Sequence, residues 1–197
     1  VTATRQPATV EEAGVAASVV TAGEIRQRQF PAVADLLREL PGVQVTAAGR
    51  QGSQTSLFLR GASRTGTLVL LDGVPMNDPG GEFNFGNLVS GDIERIETVR
   101  GPESALFGAE ASAGVVQLFT RRGEAGSRRP RGNASYERGS FGADSWRTGL
   151  LGGSGSLLDY SLYAGQTRSS GEYPNDAFRN TTGSVNAGLR LAAATQL

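Results

Sequence analysis

Apolar positions along the chain follow two different periods. Up to about residue 124 they mark short strands and helices, and from about residue 130 they alternate with polar residues every second position. Val15 to Val20 is β-prone and reads as a strand. Thr21-Ala22-Gly23-Glu24 is a capping-box pattern that predicts a helix running to about Gln29. Val33, Leu36, Leu37 and Leu40 then fall at i, i+3, i+4 and i+7, one apolar stripe with Asp35, Arg38 and Glu39 outside it. Pro41-Gly42 ends that helix and Val43-Gln44-Val45 leads out as a strand. Leu57 to Gly61 and Thr67 to Leu71 are two further strands, joined by the loop Ala62 to Gly66. Asp72-Gly73 marks a turn, and Pro75 to Val89 has no periodicity.

Ile93 to Val99 is again β-prone. Arg100-Gly101-Pro102 breaks it, and Pro102 with Glu103 suits the first residues of a helical turn through Phe107 that Gly108 stops. Val115 to Thr120 is apolar and β-branched enough for a buried strand. Beyond the Gly/Ser/Arg segment 123–131 the period becomes two. Ala134 and Tyr136 alternate with Asn133, Ser135 and Glu137, and Trp146 to Leu151 supplies another strand. Leu158, Tyr160, Leu162 and Ala164 alternate with polar positions, as do Val185, Ala187, Leu189 and Leu191. Gly152 to Gly155 reads as a tight turn, and Thr167 to Thr182 as a long polar loop.

Composition removes several kinds of chemistry. The 197 residues contain no cysteine and no histidine, and all 19 basic residues are arginine. Thiolate sites, the usual general base, a Walker lysine and Schiff-base chemistry are therefore excluded. No G-x-S-x-G elbow is present either, so the chain reads as a non-enzyme that needs no cofactor. Nineteen acidic residues balance the arginines, leaving no basic field for nucleic acid. The arginines at 121, 122, 128, 129 and 131 lack interleaved aromatics and read as a solvated linker or a membrane-surface position. No apolar run approaches the roughly 20 residues of a spanning helix, a criterion that does not apply to β-barrels. Without a starting Met or a signal peptide, the numbering reads as beginning inside a processed or truncated precursor. Asp72, Asp78 and Glu82 offer carboxylates that calcium could take, but their spacing fits no EF-hand and Asp is an ordinary turn former.

The stretch IERIETVRGPESALFGAEASAGVVQLFTRR, residues 93–122, resembles the end of the plug domain of TonB-dependent outer-membrane receptors. DLLRELPGVQV and FLRGASRTGTLVLLDGVPMND resemble the same domain, with its L-R-G and D-G-V-P signatures. Thr98, Phe107 and Gln117 stand where the family more often has an aliphatic residue, Tyr and Asn. The resemblance implies an α+β plug, a small mixed sheet with short helices, over residues 1–124. Residues 125–197 would then be a linker and the first antiparallel strands of a transmembrane β-barrel. Plugged transporter barrels have about 22 strands, so the chain reads as part of a longer receptor.

The resemblance further implies uptake of a scarce nutrient, an iron siderophore or cobalamin, across the bacterial outer membrane, driven by TonB. The partners are then TonB, a metal-chelate or small nutrient ligand, and the lipid membrane, with no nucleic acid. Val1-Thr2-Ala3-Thr4-Arg5 resembles the tail of a TonB box, an extended segment able to add to a partner's sheet edge, with Val1, Thr2 and Ala3 as the TonB-binding residues. The ligand-contacting candidates are Ser63 and Arg64 in one loop, and Met76, Asn77, Asp78, Phe83, Asn84 and Phe85 in the next. Arg60 and Arg100, each directly before a glycine, match family arginines that lock the plug to barrel glutamates. The alternative is a plug-like adaptor or secretion-pore module acting only through protein contacts.

Overall fold

In the computed structural model, which describes residues 16–123, 129–154, 157–192 and 195–196, strand β1 (Ala16–Val20) leads into helix α1 (Ala22–Arg28). Both halves of the capping box are formed: the Thr21 side chain accepts from the Glu24 N–H, and Glu24 accepts from the Thr21 N–H at 2.8 Å. Helix α2 (Val33–Arg38) places Val33, Leu36 and Leu37 at zero exposure, so the i, i+3, i+4 stripe is the inner face. Leu40 lies past the helix end and packs on the same core from there. Strands β2 (Val43–Ala47) and β3 (Thr55–Leu59) form an antiparallel hairpin of their own.

The main sheet of this unit takes in β4 (Thr67–Leu71), β5 (Val74–Pro75), β6 (Ile93–Arg100) and β7 (Gly114–Thr120), with the short helix α3 (Ser104–Phe107) between the last two. Its order is β1-β6-β7-β4-β5, and it is mixed because β4 and β7 run parallel while the other pairs are antiparallel. Asp72 and Gly73, both at positive φ, form the two-residue turn between β4 and β5 that the Asp-Gly pair favours. One face of the sheet, with Val20, Ile96, Val116 and Leu118, joins α1, α2 and the β2–β3 hairpin in a single core. The opposite face carries the smaller cluster of Leu68, Leu70, Ala111 and Val115, against which Phe107 packs.

The chain divides into two units, Val1–Thr120 and Arg121–Leu197. The second is an antiparallel meander of β8 (Arg131–Arg138), β9 (Asp144–Ser154), β10 (Leu158–Ser169), β11 (Phe178–Ala192) and the two-residue β12 (Thr195–Gln196). Two expectations change here. Gly152 and Gly153 are in the ladder, opposite Tyr160 and Asp159, rather than in a turn. A Cβ on Gly152 would stand 2.4 Å from the Tyr160 hydroxyl, so the glycine leaves room for the ring across the strand pair. The polar stretch 167–182 is mostly strand, and its connection shrinks to 170–177 because Thr167, Arg168 and Ser169 still pair with Asn180, Arg179 and Phe178. Main-chain pairing does not depend on apolar side chains, so period alone loses the strand ends.

Register sorts the two faces of the meander. Leu150, Leu162 and Val185 form one cross-strand row, followed by Gly152, Tyr160 and Ala187, then Leu158 with Leu189. Tyr136 and Trp146 face each other on the same side of the sheet. The other side brings together Asn133, Gly149, Tyr163 and Ser184, and beyond them Glu137, Ser145 and Thr167. Arg147 pairs with Glu137 on that polar side. Leu191 lies where side chains are outside the described set.

Candidate functional site

Gly42 brings the two arginines together. The Arg60 N–H donates to the Gly42 carbonyl at 2.9 Å, one step beyond the Val43–Leu59 pair of the hairpin. A Cβ on Gly42 would lie 3.5 Å from Cδ of Arg100 and 3.7 Å from Cγ of Arg60, so both side-chain stems run past this glycine. Arg60 and Gly61 are not part of the strand that the sequence places over Leu57 to Gly61; β3 ends at Leu59 and Arg60 sits in a turn. Arg60 and Gly61 have φ of 51° and 74°, and the Ala62 N–H donates to the Leu59 carbonyl at 3.0 Å. A left-handed arginine costs about 1–2 kcal/mol, yet the fold holds it there with an exposed side chain.

Arg100 differs from Arg60 in being only 8% exposed. Burial, and then the nearby charge of Arg60, holds its guanidinium below the ordinary arginine range. Its side-chain partner among the described residues is the Ser18 hydroxyl, which accepts from Nη1 at 2.8 Å. The neighbouring acid Glu97 pairs instead with Arg95, at 3.0 Å. A buried guanidinium held by a neutral hydroxyl carries uncompensated charge, and that favours a carboxylate from elsewhere. Neither Ser18 nor Gly42 was legible as part of this site. Pro41-Gly42 signals only a helix end, and a serine in a strand signals nothing.

The loop candidates separate into exposed and structural residues. Ser63, Arg64, Met76 and Asp78 are exposed. Ser63 caps a 3-10 turn at Arg64–Gly66, and Arg64 Nε lies 2.7 Å from Glu82 Oε1 in the neighbouring loop. Asn77 is spent on the backbone: its Oδ1 accepts from Val69 N–H at 2.8 Å, and its Nδ2 donates to the carbonyls of Thr67 and Gly81, each at 2.9 Å. Asn84 likewise accepts from the N–H groups of Thr55 and Gly86. Phe85 is 2% exposed and belongs to the core, where it meets half-buried Phe83 edge to face at 4.7 Å. The expectation of a ligand contact is corrected for Phe85, because its ring is turned into the core and anchors the loop there.

Asp72, Asp78 and Glu82 do not form a cluster among the described residues. Asp72 accepts from the Thr120 N–H at 3.1 Å and from its hydroxyl, Glu82 pairs with Arg64, and no cluster of three acidic groups among the described residues is placed to hold a metal ion. Val1, Thr2 and Ala3 lie outside the described residues.

The first unit is a mixed sheet with two arginines beside one glycine, and the second is a meander that is apolar on one face and polar on the other. The family model for the TonB-dependent receptor plug domain matches residues 9–115, and the chain belongs to this family, whose members reside in the bacterial outer membrane. It is 36% identical over 124 residues to the vitamin B12 transporter BtuB of Vibrio vulnificus (strain CMCP6), a match covering 63% of this chain and 20% of that relative. The chain thus spans about a fifth of the length of that curated relative. Among solved structures, the pyoverdine outer membrane receptor FpvA from Pseudomonas aeruginosa PAO1 superposes with a TM-score of 0.85 at 18% identity, over 100% of this chain and 28% of that one. The siderophore receptor PirA from Acinetobacter baumannii gives 0.72 at 22% identity, over 95% and 31%. At these identities the two structures establish the fold, an α+β plug followed by antiparallel barrel strands.

Proposed function

We propose that this chain is the plug and first barrel strands of a receptor that takes up an iron siderophore or cobalamin-type nutrient under TonB control. Residues 1–124 are the plug, and 125–197 are the linker and N-terminal strands of the barrel. The observation that carries this reading is a plug-family unit joined to a meander whose register gathers Leu150, Leu162 and Val185 on one face and polar residues on the other. Barrel strands need that segregation, apolar toward lipid and polar toward the lumen. An adaptor acting only through protein contacts has no use for it.

In this reading Ser63, Arg64, Met76 and Asp78 meet the nutrient, with Phe83 behind them. Val1, Thr2 and Ala3 add as a strand to TonB, and Arg60 and Arg100 hold the plug through carboxylates supplied by the rest of the receptor. The test is uptake by the complete receptor in cells with and without TonB, offered ferric siderophores and cyanocobalamin separately. TonB-dependent accumulation of one class is the expected result. Accumulation indifferent to TonB, or none of either class, would overturn the proposal.

A further inference from the structure

Among the described residues β1 is an edge strand, hydrogen-bonded to β6. Its first rung pairs Ala16 with Arg100 and its last pairs Val20 with Ile96. Among the described residues Ala16 is the N-terminal end of β1, so within the described strand a pull from that side reaches the Arg100 rung first. The same arginine reaches back to this strand with its side chain, Nη1 donating to Ser18 two residues further in. Arg100 is therefore held to β1 twice, through main chain and through guanidinium.

From this double attachment we infer that Ser18 is the catch that makes detachment of β1 and release of Arg100 a single event. The inference rests on the reading of the N-terminal segment as the pulled one and of Arg100 as a lock. Serine suits the position. Its hydroxyl satisfies one of the five guanidinium donors and leaves the positive charge uncompensated, so an incoming carboxylate is not outcompeted. Removing β1 strips the buried Arg100 of its hydroxyl acceptor, and an unsatisfied buried charge moves toward water or a new partner. Ser18 is thus a positioning residue: it acts through Arg100 and touches no ligand.

The test uses the complete receptor, membrane-embedded, with a handle attached ahead of Ala16 and pulled at constant force. Wild type is compared with Ser18→Ala, Ser18→Thr, Arg100→Ala and the double variant. Ser18→Ala is expected to speed detachment of β1 about tenfold, the scale of a hydrogen bond to a charged group. Ser18→Thr keeps the hydroxyl and should stay near wild type, and adding Ser18→Ala to Arg100→Ala should change nothing further. A wild-type rate for Ser18→Ala, or the same acceleration in both backgrounds, would overturn the catch. Arg60→Ala tests the lock independently. If it leaves later plug release unchanged while the Ser18–Arg100 coupling persists, Arg60 drops out of the lock and the catch on Arg100 stands.

Discussion

Arg64 and Glu82 clamp two loops of the plug together, with Nε 2.7 Å from Oε1 and both side chains partly open to solvent, at 52% and 35%. Packing supports the same junction: a Cβ on Gly81 would come within 3.0 Å of the Thr65 carbonyl oxygen. An ion pair this exposed contributes about 0–1 kcal/mol to global stability. Glu82→Ala should therefore leave the unfolding midpoint nearly unchanged while hydrogen exchange of segments 62–66 and 76–82 accelerates. Unaltered exchange in both segments would show that backbone contacts alone hold the loops.

Phe83 and Phe85 should separate by mutation although they touch. Phe85→Ala empties a fully buried site, and a phenylalanine removed from a core costs about 3–5 kcal/mol. The complete receptor carrying it should show a less stable plug by hydrogen exchange and less folded protein in the membrane. Phe83 is only half-buried, so Phe83→Ala should cost less. A Phe85→Ala receptor of normal stability that has lost only nutrient binding would refute its place in the core.

Acid should weaken the start of α1. The backbone N–H of Thr21, and after it the Thr21 hydroxyl, hold the Glu24 carboxyl below its usual range. A depressed carboxylate contributes stability that is present above its unfolded pKa, about 4.3, and is lost as pH falls through the lower folded value. Thr21→Ala should cost about 0.5–2 kcal/mol at neutral pH, as cap removals do. Glu24→Gln should cost less, and its deficit against wild type should shrink below about pH 4. Exchange of the α1 amides at pH 7 and pH 3.5 measures both. A Glu24→Gln deficit that grows on acidification would contradict the sign.

The two faces of the meander should respond oppositely to charge. Val185 is 74% exposed and pairs with Leu162, whereas Ser184 pairs with Tyr163 on the polar side. Val185→Arg should reduce assembly in the outer membrane, with a cost of about 2–4 kcal/mol if the position lies near the midplane. Ser184→Arg should be tolerated. Spin labels give a second measure, because a label at 185 should collide with oxygen in lipid and one at 184 with aqueous reagents. Reversed accessibilities would assign the faces the other way.

Local chemistry was legible in the sequence wherever one segment contains both the signal and its partner. Thr21 and Glu24 lie three residues apart and cap one helix; Val33, Leu36 and Leu37 share a face because the helical period puts them there. Asp72-Gly73 makes its own turn, and the apolar alternation of β10 and β11 marks which residues share a side. Tertiary structure decided whatever depends on register between distant strands. Arg100 and Ser18 are 82 positions apart, and only the β1–β6 pairing puts one guanidinium against that hydroxyl. Gly42 became the meeting point of two arginines because three separate strand ends converge there. Phe85 gave no burial signal because its loop has no period, and its burial follows from the core that α2 and the β2–β3 hairpin build around it. Local propensity acts along the chain and can be read from it, whereas register is set by packing between segments that the chain order does not bring together.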